Sequence, residues 1–144
     1  MTIKKLCIDE IPELIKLYSQ LMPDETNKPQ VSREIYESIA DNDDYLVIVA
    51  KENEKIIGSA MAICCKSLAL SGKNFLVVED VIVEEGHKGK GIGRKLFEEL
   101  DKIAHAKNCA YAMLVSSGFR KGAHVFYEKM GYVDDALGFR KMYT

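Results

Sequence analysis

Apolar and polar positions along this chain follow two spacings, and the changes between them mark its elements. Residues 2–8 (TIKKLCI) alternate weakly and predict a short first strand. From Asp9, placed to cap a helix, Ile11, Leu14, Ile15, Tyr18 and Leu21 recur at helical spacing. A polar, proline-bearing loop fills residues 22–30, and Ser32 is expected to cap a second short helix carrying Ile35, Tyr36 and Ile39. The spacing then tightens. Residues 45–50 (YLVIVA) and 56–65 (IIGSAMAICC) read as strands joined through KENEK in a hairpin. After a loop at 66–74, residues 75–83 (FLVVEDVIV) are almost continuously apolar, as a central strand buried on both faces should be. Ile92, Leu96, Leu100 and Ile103 lie on one face of a third helix, and 109–115 (CAYAMLV) read as a strand. Ala123, Phe126, Tyr127 and Met130 predict a fourth helix, and two short strands around 132–133 and 138–143 are expected to close the chain. The order β-α-α-β-β-β-α-β-α-β-β describes a mixed α/β fold around one central sheet.

Composition narrows the class. A chain of 144 residues, 47% hydrophobic and 29% charged, is expected to form one domain over residues 1–144. A net charge of −2 provides no global basic field for nucleic acid. The run 56–65 is bounded by Lys55 and Lys66 and falls far short of the roughly 20 residues that cross a bilayer, so no membrane partner is expected. The N-terminus shows no apolar leader core, and a cytoplasmic protein is expected. Its four cysteines form no CxxC pair and its three histidines are scattered, so no metal site is expected and the thiols read as reduced.

Against that acidic background, residues 86–93 (GHKGKGIG) stand out. They follow the buried strand and run straight into a helix, and Lys88, Lys90, Arg94 and Lys95 gather positive charge there. Glycines permit positive φ and close backbone approach. The free N–H groups of a first helical turn, with the helix dipole, favour an anion. This points to a polyphosphate ligand. A P-loop fails because Gly86 is followed five residues later by Gly91 and then Ile92, where GK[ST] is needed. A dinucleotide fingerprint fails because Gly91-Ile92-Gly93 leads to Leu96, and because the loop lies past mid-chain.

VEDVIVEEGHKGKGIGRKLFEEL resembles the acetyl-CoA signature of the GCN5-related N-acetyltransferase (GNAT) superfamily: an apolar strand, an Arg or Gln, two residues, then Gly-x-Gly or Gly-x-Ala opening a helix. Lys88 stands at the Arg/Gln position, a departure that leaves the family's use of backbone amides intact. AHVFYEKMGY (123–132) is similar to the family's C-terminal helix, which ends Phe-Tyr-x-x-x-Gly-Phe/Tyr. The two motifs lie in the family's order and cover residues 75–132.

The resemblance implies an acetyl-CoA N-acyltransferase fold and transfer of acetyl to a primary amine by direct attack in a ternary complex. It implies that Val81, Ile82 and Val83 pair with the pantetheine amides, and that Lys88, Gly89, Lys90, Gly91, Ile92, Gly93 and Arg94 hold the phosphates. Arg120, near the place of a cofactor-touching asparagine, would reach a phosphate or cap the helix region. An amine with a pKa of about 10.4 is only ~0.04% neutral at pH 7, so the chemistry needs a proton acceptor. Glu79 is the candidate, directly or through water, and Asp80 reads as the structural member of a bulge. An amide near Ile82 or Val83 would meet the oxyanion. Tyr127 aligns with the family tyrosine that serves the departing sulfur. A phenol near pKa 10 is a weaker acid than a thiol near 8.5, so hydrogen-bond donation is its first role. No well-placed cysteine argues for a covalent intermediate. The acceptor is expected to be small, recognised by residues 22–31, 67–74 and 133–138. A protein N-terminus or lysine is the alternative acceptor, and a non-catalytic CoA-binding sensor or interaction module is the alternative of another class. An edge strand of this kind also leaves room for a homodimer.

Overall fold

Continuous apolar runs in β-strands imply cover on both faces, and the arrangement of helices supplies it. The computed structural model describes residues 1–116 and 121–144. Its elements are β1 (Thr2–Lys5), α1 (Ile11–Leu21), α2 (Pro29–Ile39), β2 (Tyr45–Glu52), β3 (Lys55–Lys66), β4 (Asn74–Val83), α3 (Ile92–Ala106), β5 (Cys109–Met113) and α4 (Lys121–Lys129). The strands form one sheet in chain order, antiparallel from β1 to β4 and parallel between β4 and β5. On β2, Val47 and Val49 pack with Leu14 and Leu17 of α1 and Tyr36 of α2. Ile48 and Ala50 face the other way, toward Leu96, Phe97 and Leu100 of α3. That two-sided burial explains why the alternation disappears in YLVIVA. The hairpin after β2 turns on Asn53 and Glu54, both at positive φ (50° and 65°), as a two-residue turn matched to strand twist requires.

Helix starts differ from the pattern-based expectation. The second helix begins at Pro29 with Lys28 as its cap, ahead of Ser32, because proline loses nothing at a first helical position. Asp9 does not cap α1. It lies in a 3-10 turn (Ile8–Glu10), and Glu10 occupies the capping place. The two closing strands do not form. No strand follows α4 among the described residues, and β5 ends at Met113. A strand exists only through ladder bonds to a neighbour, and among the described residues no strand pairs with residues 138–143, whose Phe139 and Tyr143 stand in solvent.

Glu10 ties the first strand to the hairpin. Its Oε1 accepts from Lys4 Nζ at 2.8 Å and Lys51 Nζ at 2.7 Å, and its Oε2 from the Cys7 N–H at 3.1 Å. Burial works against the charge, but these donors outweigh it and bring the carboxyl down to about 2. A depressed carboxyl contributes stability that is fully present above its ordinary value near 4.5 and is lost as pH falls toward 2. Glu10→Gln is therefore expected to lower the thermal midpoint at pH 7 by a few degrees and to flatten its fall below pH 4.5. Thermal melts of both proteins across pH 2–7 test this, and parallel curves would remove Glu10 from the acid response.

Candidate active site

β4 carries the site because it is bound unequally on its two edges. Toward β5 it pairs only from Asn74 to Val77, opposite Cys109 to Met113. Toward β3 it remains paired as far as Val83, opposite Gly58. The backbone beyond Val77 is thus freed from β5, and the two strands part there. Opposite this opening the β3–β4 register slips: Glu79 faces Met61 and Ile82 faces Ser59, so Asp80 and Val81 share one partner position. Asp80 takes φ +51°, an uncommon left-handed conformation for a residue with a side chain. The bulge interrupts the alternation, so that Glu79 and Asp80 both reach the surface.

Both carboxyls are raised. Partial burial, and then the neighbouring Asp80 charge, raise the Glu79 carboxyl, while the Arg140 guanidinium draws it part of the way back. Burial also raises Asp80. Tyr18 of α1 belongs to the same group. Burial, with the Asp80 charge adding to it, pushes its phenol up to about 12, against a smaller opposing effect of the Ser59 hydroxyl.

The glycine loop begins at the end of β4 and is moored on both sides. Glu84 Oε1 accepts from Lys55 Nζ at 2.8 Å, His87 Nδ1 lies 2.7 Å from Glu84 Oε2, and the Glu85 N–H donates to Gln20 Oε1 at 3.0 Å. Gly89 and Gly91 both adopt positive φ (78° and 82°), and a Cβ built on either would meet nothing within 4 Å. The backbone there is open to an incoming group. Gly91 caps α3, and the first helical bond runs from the Lys95 N–H to its carbonyl at 3.2 Å. The amides of Ile92, Gly93 and Arg94 therefore precede the ladder. Lys88 spends its charge on Glu85, 2.8 Å away at the surface, whereas Lys90, Arg94 and Lys95 are exposed around the helix start.

Close packing joins this helix start to the rest of the site. A Cβ on Gly58 would come within 3.0 Å of Ile92 Cγ2 and 3.2 Å of the Ile82 carbonyl, so glycine lets α3 settle closely on the end of β4. A Cβ on Gly93 would come within 3.1 Å of the Phe126 ring, which brings α4 against the same helix turn. Tyr127 follows, 8% exposed, its ring 5.7 Å from those of Phe97 and Phe126 and 6.3 Å from Tyr132. The end of α4 explains the FYEKMGY pattern. Gly131, at φ +92°, donates to the Glu128 carbonyl, and the Tyr132 N–H donates to the Tyr127 carbonyl at 3.0 Å. This is a Schellman cap, whose accompanying apolar contact is the Tyr127–Tyr132 pair. Tyr127 and His124 also line a groove of about 880 Å³ between β5, α4 and the C-terminal segment.

Most of the sequence-derived positions are therefore assembled. Val81, Ile82 and Val83 lie on the freed part of β4, with Ile82 buried, and residues 88–94 form the adjoining helix start. Glu79 stands at the bulge and is not among the residues lining the groove of Tyr127. Arg120 lies outside the described residues. Gly58 and Tyr18 were not singled out from sequence. A lone glycine in an apolar strand did signal close approach, but nothing local named Ile92 as its neighbour. No group of three or more metal-ligating side chains occurs among the described residues, and no helix among them is long and apolar enough to cross a membrane.

A strand freed from its neighbour stands next to a glycine-opened helix start, which suits an extended ligand with amides along it and an anion at one end. Residues 11–132 match the acetyltransferase (GNAT) family, and the chain belongs to that family. It is 32% identical over 78 residues to the glucosamine 6-phosphate N-acetyltransferase of Trypanosoma brucei brucei, a match covering 54% of this chain and 51% of that protein. The aligned region thus spans about half the length of that relative. The crystal structure of glucosamine-6-phosphate N-acetyltransferase from Arabidopsis thaliana superposes with a TM-score of 0.88 at 26% identity, covering 99% of this chain and 98% of that one. A transcriptional regulator from Bacillus halodurans superposes with a TM-score of 0.91 at 21% identity over 99% of both chains, and at that identity the likeness is one of fold alone.

Proposed function

We propose that this protein transfers acetyl from acetyl-CoA to the primary amine of a small molecule, and that amino-sugar phosphates are the first acceptors to try. The observation that carries the reading is the pairing of the freed β4 edge with a helix start opened by two left-handed glycines. The residues present fit the co-substrate. Backbone N–H groups at Ile92, Gly93 and Arg94 suit a pyrophosphate, with Lys90 and Arg94 as counter-charges. The amide groups of Val81, Ile82 and Val83 suit the two amides of the pantetheine arm, by the same main-chain pairing that adds a strand to a sheet edge. Family membership and the named enzymes among the similar proteins agree with this use.

Acetyl-CoA bound there supplies the activated acyl group, and the chain supplies position and proton management. Glu79, directly or through water, takes the proton from the acceptor ammonium, since only the neutral amine attacks a thioester. Its raised carboxyl makes it a stronger base than an ordinary glutamate. An amide at Ile82 or Val83 meets the negative charge that develops on the acyl oxygen. The Tyr127 hydroxyl donates a hydrogen bond to the departing sulfur, the better role for a phenol less acidic than the thiol.

The test is thiol release from acetyl-CoA against a panel of acceptors: glucosamine 6-phosphate, glucosamine, a free peptide N-terminus and a lysine peptide. Turnover is expected to be fastest with a small amine. Preference for either peptide would move the assignment to protein acetylation. Acetyl-CoA binding without turnover on any amine would move it to a non-catalytic module.

A further inference from the structure

One residue in the turn between β4 and the helix start faces inward. From Glu85 to Gly91 every residue is exposed except His87. Its imidazole is turned back against the β2–β3 hairpin. Nδ1 lies 2.7 Å from Glu84 Oε2, and Nε2 lies 3.6 Å from Glu52 Oε2 at the end of β2. Glu84 gives its other oxygen to Lys55 Nζ, 2.8 Å away at the start of β3. The hairpin turn is therefore gripped from both of its strands. Glu84 Oε2 and His87 Nδ1 are both shut off from solvent, so water cannot stand in for either partner.

A neutral imidazole fits only half of this arrangement, because it carries one N–H and one lone pair. At 2.7 Å from a carboxylate oxygen, Nδ1 must hold a proton. Nε2 would then turn its lone pair toward the Glu52 carboxylate. The imidazolium has a donor on each nitrogen and satisfies both carboxylates. The other charges nearby are engaged elsewhere. Lys55 is bonded to Glu84, and that bond is the main reason the Glu84 carboxyl lies below its ordinary value. Lys88 is paired with Glu85 at 2.8 Å. From α1 come Glu13, whose Oε1 accepts from the Ile56 N–H at 2.8 Å, and the neutral Gln20.

We propose that His87 is a positioning residue for the co-substrate: its imidazolium clamps the glycine loop to the β2–β3 hairpin, and loss of its proton loosens the loop and weakens CoA binding. This rests on the acetyl-CoA reading of the loop. His87 is the last point at which the loop is held before Gly89 and Gly91. Lys88 reaches back only to Glu85, and the next buried residue is Ile92. The sign follows from which form is clamped. Affinity is full while the ring is charged and falls as pH rises and Nε2 gives up its proton. Histidine is the side chain that makes this change between about pH 5 and 8.

Calorimetry of dephospho-CoA binding between about pH 5.5 and 8 tests the clamp. The dephospho analogue avoids the phosphate monoester of CoA, which itself titrates in that range. Affinity is expected to fall at least about 5-fold across it, the lower end of ordinary coupling between sites. His87→Gln keeps a donor for Glu84 but carries no charge, and should bind weakly at every pH. Glu52→Gln, at a half-exposed position, should reduce the pH dependence while leaving the loop sequence intact. Amide exchange of the free protein separates a clamp from a mere charge near the phosphates. The Glu84, Glu85 and His87 N–H groups donate to the Ile57 carbonyl, Gln20 Oε1 and the Glu84 carbonyl. Their protection should fall over the same pH range in the wild type and not in His87→Gln. Wild-type affinity indifferent to pH, a fall that persists in His87→Gln, or protection that ignores pH would each overturn the proposal. Binding of neither CoA nor its analogue at any pH strikes the acetyl-CoA reading instead, and the exchange data then decide alone whether His87 clamps the turn.

Discussion

Tyr127→Phe is expected to lower kcat of acetyl transfer by at least about 100-fold while leaving the acetyl-CoA dissociation constant nearly unchanged, if the hydroxyl serves the sulfur as proposed. Phenylalanine keeps the ring among Phe97, Phe126 and Tyr132, so the aromatic cluster and the helix cap survive and only the donor is lost. Steady-state kinetics with calorimetry of acetyl-CoA binding makes the check, and a loss of only a few-fold would reduce Tyr127 to packing. Glu79→Gln should separate from it by pH dependence. In the wild type, kcat/KM rises as the carboxyl ionises, with the midpoint above the ordinary carboxylate range because burial and Asp80 raise it. The glutamine variant should lose that limb and partly recover at high pH, where more acceptor arrives neutral. Asp80→Asn is the companion. If it alone abolishes the limb, the proton passes to the residue at the bulge, and Glu79 only shapes its field.

Gly91→Val should weaken acetyl-CoA binding more than 100-fold. Two effects separate cleanly here. At φ +82° a side chain costs about 1–2 kcal/mol of stability, which denaturation of the free protein measures. The Cβ itself meets no protein atom within 4 Å, so the remaining loss arises from the added atoms standing where an anion would approach the backbone. A folded Gly91→Val protein with wild-type affinity would take the loop out of the cofactor site.

Much of this architecture is local and therefore readable along the chain. The helix start at residues 86–93 depends on glycine's access to positive φ and on cations near one another in sequence. The end of α4 depends on Gly131, which closes a cap over the preceding turn. Both are short-range, and both anchor the family's motifs. Helical spacing likewise placed Leu96 and Leu100 on the buried face of α3, where they lie.

What depends on partners distant in sequence was not readable. A bulge at Asp80 was legible from two acids interrupting an apolar strand, but the slip between β3 and β4 that makes it, and the partners on either side, belong to the pair of strands. Gly58 has its meaning only once Ile92 of a helix some thirty residues onward is laid against it. The parting of β4 from β5 comes from where β5 stops, although the apolar letters run on to Val115. The closing strands show the limit most plainly. Alternation in residues 138–143 expresses a capacity to pair, but pairing needs an edge in the right register, and no described strand pairs with them. Local propensity and spacing were thus enough to determine most of the elements and the glycine-opened helix start, whereas register, coverage of the sheet and the free edge of β4 are properties of pairs of elements, which only the tertiary structure could decide.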